Sequence, residues 1–222
     1  MRRRIAVLAS GAGSNMQALG EACRDGRVNA DLALVIANTP GAEVLQRAGR
    51  LAVPQRCIDH RDYGCRAEFD DELRRCLLEA RIDLVVLAGF MRILSDDFVR
   101  EFYGSLLNIH PSLLPKYPGL NTHRRALDAG DRYGGSTVHF VIPELDAGPP
   151  VLQARVKIHS GDTPESLAQR VRAVEHSMYP LAVGWWVDGR LKLTNAKAEL
   201  DGKQIDDAAA LALAHAGQLG LG

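Results

Sequence analysis

The sequence predicts an α/β fold in which an open, twisted, mostly parallel sheet carries helices on both faces. Short apolar runs at residues 5–9, 31–37 and 84–88 have the length and composition of buried parallel strands. Segments with helical spacing of apolar residues separate these runs, and such alternation is typical of βαβ units. The first unit has a glycine-containing turn, residues 10–13, between its strand and its helix, so the amino-terminal half is predicted to be Rossmann-like.

The other predicted elements follow from the same periodicities and from turn and capping residues. Ser14 is predicted to cap the first helix, and the helix that begins at Thr163 is predicted to kink or break at Pro180. Further helices are predicted over residues 42–51, 69–80 and 122–129. Further strands are predicted from residue 53, up to residue 110, over 136–142, 151–158 and 191–193, with a hairpin through Asp201-Gly202.

The length of 222 residues suits one α/β domain. We expect a single domain over residues 1–205, with a phosphate-binding βα half at 1–104 and a second half at 105–205, because the βα pattern loosens after residue 104. Residues 206–222 form an Ala/Leu/Gly-rich tail to which we assign no function.

The composition excludes several classes of function. The 27 basic and 27 acidic residues leave no polycation for nucleic acid. The four cysteines contain no Cys-x-x-Cys pair, so we expect neither a metal site nor a disulfide framework. Arginines at positions 2–4 precede only a short apolar run, without a signal-cleavage site or a membrane-spanning length, so we expect a cytoplasmic protein that binds no membrane.

The turn at residues 10–15, Ser-Gly-Ala-Gly-Ser-Asn, predicts an anion site because it opens a helix directly after a strand. Met16 stands where a dinucleotide-binding sequence has its third glycine, and Asn38 stands where such a site has an acidic residue. A single phosphate therefore fits the turn better than a dinucleotide does.

Asn108 and His110 lie two apart at the end of a predicted strand, so their side chains face the same side. Prolines stiffen the loop that follows, and Asp146 lies in a second loop. An amide, an imidazole and a carboxylate suit stabilisation of an oxyanion. On their own, an Asn and a His in such positions more often have structural roles, and an Asp in such a loop is usually part of an ordinary turn.

The apolar stretch at residues 90–94 follows a predicted strand and contains a single arginine. Ligands bind beside the carboxyl ends of strands in open α/β sheets, so this stretch is either the wall of a flat ligand site or a turn with core residues. Gly-x-Ser-x-Gly and Walker motifs are absent from the sequence, which argues against covalent hydrolases and nucleoside triphosphatases.

Three motifs carry a family resemblance: Asn-Ile-His-Pro-Ser-Leu-Leu-Pro-Lys-Tyr-Pro-Gly at 108–119, Ala-Gly-Phe-Met-Arg-Ile-Leu at 88–94 and Leu-Asp-Ala-Gly-Pro at 145–149. Together they resemble the phosphoribosylglycinamide formyltransferase family of purine biosynthesis, within the folate-dependent formyltransferases. The resemblance covers roughly residues 4 to 200. Residues 147–150 read Ala-Gly-Pro-Pro where the family pattern has a second glycine and a single proline.

The resemblance implies two small-molecule substrates, glycinamide ribonucleotide and 10-formyltetrahydrofolate, and a monomer or weak homodimer. The ribonucleotide would be bound by Gly13, Ser14, Asn15, Arg172 and Glu175. The folate would contact Arg66, Met91, Arg92, Ile93, Leu94, Asn108, Ile142 and Asp146.

The resemblance also implies direct transfer, in which Asn108 and protonated His110 stabilise the oxyanion. Asp146 would favour the protonated imidazole and pass protons from the attacking amine towards the leaving folate nitrogen. Three alternatives remain open: a 10-formyltetrahydrofolate hydrolase, a transferase acting on initiator tRNA, and a non-catalytic nucleotide-binding module.

Overall fold

The computed structural model describes residues 2–205 and 211–213. The chain divides into two compact units, residues 1–108 with 141–143 and residues 109–140 with 144–222. The division falls inside the strand that ends at His110. The expectation of one domain with two halves stays a prediction.

The first unit is a parallel sheet with helical connections. Its strands are β1 (Arg3–Ala9), β2 (Ala30–Ala37), β3 (Gln55–Cys57), β4 (Leu84–Leu87) and β5 (Leu106–His110), in the order β3-β2-β1-β4-β5. All four pairings are parallel. Its helices are α1 (Ser14–Arg24), α2 (Glu43–Arg50), α3 (Arg66–Glu79) and α4 (Asp96–Glu101), with a 3₁₀ turn at His60–Asp62.

Both faces of this sheet are covered. On β1, Ala6 and Leu8 belong to an apolar core that includes Phe69 and Leu73 of α3. Successive residues of a strand face opposite sides, and Ile5 and Val7, between those positions, are fully buried as well. Burial on both sides explains why these strands are continuous apolar runs in the sequence.

The second unit has antiparallel strands and a long helix. It contains α5 (Thr122–Asp128), β6 (Tyr133–Phe140), β7 (Pro150–Lys157), α6 (Pro164–Val187), β8 (Leu191–Thr194), β9 (Lys197–Leu200), β10 (Lys203–Gln204) and β11 (Leu211–Leu213). β6 pairs antiparallel with β7, and β11 pairs parallel with β7. β8, β9 and β10 form a small antiparallel sheet.

The predicted α/β class with a mostly parallel sheet is confirmed, whereas two local predictions are wrong. Ser14 does not cap α1, because Gly13 takes the cap position and no side chain there accepts a hydrogen bond. Pro180 does not end α6, which continues to Val187. Tyr179 and Val183 are buried on either side of this proline, so packing offsets the hydrogen bond that it removes. The tail predicted at 206–222 lies outside the described residues, apart from β11.

Candidate active site

The glycine turn of the first unit presents the amino terminus of α1. Gly13 adopts a left-handed backbone conformation (φ 75°, ψ 27°), and Ser14 is the first helical residue. Backbone N–H groups in the first turn of a helix have no partner within the helix, and they point towards the positive end of its dipole. The backbone amide of Val44 donates to the carbonyl oxygen of Gly11 at 3.0 Å, which fixes the turn against α2. The turn therefore has the geometry of an anion site.

An exposed apolar surface lies beside this turn in the same unit. The backbone amide of Met91 donates to Oγ of Ser10 at 2.8 Å. The side chains of Met91 and Ile93 are exposed, at 67% and 56%. The guanidinium of Arg92 lies 5.3 Å from the ring centroid of Phe69, a contact that limits its motion. These residues fit the predicted wall for a flat, partly apolar ligand.

Three of the other folate-contact residues predicted in this unit differ in exposure. Leu94 is buried in the apolar core, so its side chain supports the wall from behind. Ile142 is half-buried, and Arg66 is exposed at the first position of α3.

A buried histidine–carboxylate pair lies in the second unit. Nδ1 of His110 is 3.4 Å from Oδ2 of Asp146, and both side chains are less than a tenth exposed. Nε2 of His110 is 2.9 Å from the carbonyl oxygen of Tyr117. The amide of Gly119 donates to Oδ2 of Asp146 at 2.8 Å. Because the carbonyl can only accept, Nε2 carries a proton, and Nδ1 faces the carboxylate. Both ring nitrogens of His110 therefore lie next to oxygen acceptors, which orient the ring.

A second buried histidine lies on the other side of the carboxylate. Nε2 of His139, on β6, is 3.9 Å from Oδ1 of Asp146. Its Nδ1 is 2.8 Å from the carbonyl oxygen of Phe140, so Nδ1 carries the proton. Burial lowers the pKa of His139 to about 4, which keeps the ring neutral near pH 7. The sequence placed His139 in a strand without assigning it to the site, because its nearness to Asp146 depends on a loop contact.

We expect the buried, neutral His139 to make the protein less stable in acid. Below about pH 6.5 an unfolded histidine takes up a proton, whereas His139 in the folded chain stays neutral down to about pH 4. The unfolded state then binds more protons, so the free energy of unfolding should fall by about 2 kcal/mol between about pH 7 and pH 5. Urea unfolding of wild type and His139→Gln at both pH values checks this, because the variant should lack that part of the decrease. Replacement of the exposed His159 with Gln is the control, and an equal decrease in wild type and His139→Gln would contradict the prediction.

The backbone of His110 connects to a buried glutamate through one hydroxyl. Oγ of Ser136 is 2.9 Å from the carbonyl oxygen of His110 and 2.9 Å from Oε1 of Glu175. Arg172, one turn earlier on α6, is exposed.

His123 was not identified from the sequence as a residue of the site. Burial lowers the pKa of His123, and the nearby charges of Arg172 and His110 lower it further. These groups form a polar cluster around His110.

Asn108 is half-buried and precedes His110 by two residues on β5. The alternation of the strand directs the two side chains to the same face, as the sequence predicts.

Within the described residues, no group of three or more His, Cys, Asp or Glu side chains is placed to hold a metal ion. None of the described helices is long and apolar enough to cross a membrane.

The fold and these groups define a class of protein: an α/β protein with a glycine turn at the amino terminus of a helix and a buried histidine–carboxylate pair. The comparison with family models then identifies the family. The formyl transferase model matches residues 3–183, and the chain belongs to that family. The prediction of a formyltransferase is therefore confirmed.

Relatives and solved structures agree with this assignment. The chain is 46% identical over 201 residues to the phosphoribosylglycinamide formyltransferase of Escherichia coli K12, covering 90% of this chain and 95% of that protein. It is 50% identical over 190 residues to the trifunctional purine biosynthetic protein adenosine-3 of Drosophila melanogaster, covering 85% of this chain but 14% of that protein. A solved phosphoribosylglycinamide formyltransferase from Coxiella burnetii matches with a TM-score of 0.89 and 43% identity, covering 94% of this chain and 98% of that one.

Proposed function

We propose that this protein transfers the formyl group of 10-formyltetrahydrofolate to the amine of glycinamide ribonucleotide. The products are formylglycinamide ribonucleotide and tetrahydrofolate, and the reaction belongs to de novo purine biosynthesis. The buried pair of His110 and Asp146, 3.4 Å apart, carries this proposal, because a charged imidazole is the group that an anionic intermediate requires. The names of the relatives point to the same substrate.

The catalytic groups act on a tetrahedral intermediate. The amine nitrogen bonds to the formyl carbon, and the formyl oxygen gains negative charge. Asn108 donates a hydrogen bond to that oxygen, protonated His110 stabilises it by its positive charge, and the carboxylate of Asp146 stabilises the imidazolium. Asp146 also passes the proton lost by the amine towards the folate nitrogen, which leaves as the carbon–nitrogen bond breaks. The enzyme forms no covalent bond to the formyl group.

The ribonucleotide is bound through its phosphate and its polar groups. Gly13, Ser14 and Asn15 bind the phosphate, since backbone N–H groups at the start of α1 suit an anion. Arg172 and Glu175 hold the ribose, the phosphate or the amine. The exposed arginine suits a phosphate and the buried carboxylate suits a hydroxyl or an amine.

The folate is bound by apolar side chains and charged side chains. Met91, Arg92, Ile93 and Leu94 form the wall for its pterin, and the exposure of Met91 and Ile93 supports this role. The folate also contacts Ile142, Asn108 and Asp146. Arg66 is exposed and binds the glutamate tail as a cation.

The protein acts in the cytoplasm on these small molecules, without a metal ion, nucleic acid or membrane, as a monomer or weak homodimer. Equal numbers of basic and acidic residues support the exclusion of nucleic acid.

An absorbance assay of tetrahydrofolate release tests the proposal. Purified protein is incubated with 10-formyltetrahydrofolate, with and without glycinamide ribonucleotide. We expect release only when the ribonucleotide is present. Release without it would instead indicate the hydrolase, and no release under either condition would indicate a non-catalytic binding module.

A further inference from the structure

The loop at residues 111–121, between β5 and α5, contacts both members of the histidine–carboxylate pair through its backbone. The carbonyl oxygen of Tyr117 lies 2.9 Å from Nε2 of His110. Two residues later, the amide of Gly119 donates to Oδ2 of Asp146 at 2.8 Å. The backbone conformation of this short stretch therefore determines how the imidazole and the carboxylate are oriented.

That conformation is a strained one at Tyr117. Its φ of 58° lies in the left-handed region, which bulky side chains rarely adopt. The left-handed conformation costs about 1–2 kcal/mol for a residue with a Cβ. The residue before a proline is also disfavoured in helical conformations, and Pro118 follows directly. Such a residue keeps its conformation only when surrounding contacts hold it there.

Asp131, after α5, supplies these contacts. Its carboxylate accepts hydrogen bonds from Nζ of Lys116 at 2.8 and 3.0 Å and from the hydroxyl of Tyr117 at 2.9 Å. The hydrogen bond from Lys116 lowers the pKa of the Asp131 carboxyl. Arg125 of α5 adds support, because its guanidinium lies 5.1 Å from the ring centroid of Tyr117. One carboxylate thus holds two consecutive residues of the loop by their side chains.

We propose that Asp131 is a positioning residue for formyl transfer, which holds Tyr117 so that its carbonyl orients the imidazole of His110. This inference rests on the proposed function, because it assigns Asp131 a role through His110. Asp131 itself does not contact the reacting atoms. It acts through the hydroxyl of Tyr117 and then through the backbone of the same residue.

A merely structural ion pair would behave differently. Exposed pairs contribute about 0–1 kcal/mol to stability, so loss of the Lys116–Asp131 pair alone should have little effect on turnover. A matched pair lies beside the small antiparallel sheet, where Arg190, before β8, donates to both oxygens of Asp201, after β9, at 2.9 and 2.7 Å. Asp201→Asn therefore removes a comparable carboxylate that contacts none of the residues assigned to catalysis or binding.

The test compares Asp131→Asn, Tyr117→Phe, the double variant and the Asp201→Asn control. We expect each of the first two to lower kcat by about tenfold with little change in KM. A misplacement of about 1 Å at a reacting group costs about 100-fold, and the indirect loss of one contact should displace the imidazole by less than that. Asp131→Asn weakens the hydrogen bond between the two side chains and Tyr117→Phe removes it, so the double variant should lose no more than Tyr117→Phe alone. Asp201→Asn should keep the wild-type kcat.

A second readout does not depend on activity. The ring nitrogen signals of His110 in NMR spectra, assigned by their absence in His110→Ala, should move in Asp131→Asn and in Tyr117→Phe but not in the control. Unchanged kcat and His110 signals in both variants would overturn the proposal, as would losses that multiply in the double variant. If Asp131→Asn does not fold, Tyr117→Phe carries the same test. A wild type that transfers no formyl group would instead overturn the proposed function, and the NMR signals would still report on the positioning.

Discussion

Replacing His110 with Ala should lower kcat/KM for formyl transfer by about 10²–10⁴-fold, the range of a lost general acid or oxyanion donor. In the proposed mechanism the imidazole supplies the positive charge, and it lies between the carboxylate of Asp146 and the carbonyl of Tyr117. Without it, the oxygen of the tetrahedral intermediate keeps only the neutral amide of Asn108. Steady-state kinetics of tetrahydrofolate release, with glycinamide ribonucleotide present, measures the loss.

Two comparisons separate this effect from a general loss of structure. His159→Ala removes an exposed imidazole between β7 and α6, and it should keep wild-type turnover. His110→Ala should still fold and bind inorganic phosphate, because Gly13, Ser14 and Asn15 lie in the first unit. Turnover equal to that of wild type would contradict the assignment of His110.

Asp146→Asn completes this test, because it removes the charge while keeping an oxygen that accepts from the amide of Gly119. His110 and Asp146 are proposed to act together, so the turnover of the double variant should be little lower than that of the less active single variant. Independent, multiplying losses would show that the carboxylate has a role apart from the imidazole.

The sequence predicted those strands and helices whose pattern of apolar residues matches their burial in the structure. β1 and β4 are apolar runs that end at glycine-containing turns, and both are buried in the structure. The failures occurred where packing overrides a local preference, as at Pro180 within α6. The polar strand β9 was predicted only as one arm of the hairpin through Asp201-Gly202, without bounds, because its polar residues do not indicate where its pairing with β8 begins and ends.

The candidate site shows the same limit at finer scale. The shared face of Asn108 and His110 follows from strand alternation, whereas their proposed roles and that of Asp146 come from the family resemblance. The backbone groups of Tyr117 and Gly119 were not predictable, because every residue type offers a carbonyl and nearly every type an amide. His139 and Asp131 depend on long-range contacts, which have no signature in spacing.

Replacing Gly13 with Ala should lower the free energy of unfolding by about 2–5 kcal/mol, the sum of left-handed strain and overpacking. A Cβ there would lie 2.4 Å from Cγ2 of Val44 and 2.8 Å from its Cα. The buried Val44 cannot easily move away, because its amide is bonded to the carbonyl of Gly11. The turn must therefore shift at the start of α1, which should also weaken phosphate binding. Urea unfolding and phosphate titration of the folded variant measure the two effects.

Gly11→Ala is the matched control in the same turn. A Cβ at Gly11 would meet nothing within 4 Å, and its backbone lies outside the left-handed region. Its free energy of unfolding should stay within about 1 kcal/mol of wild type, with a small gain from a less flexible unfolded chain. Equal losses in the two variants would show that the turn tolerates no side chain for reasons unrelated to Val44. A large loss of stability in Gly13→Ala alone would mean that the contact between Gly13 and α2 determines the shape of the anion site. Of these two glycines, only Gly13 combines a left-handed backbone with a neighbour closer than van der Waals distance.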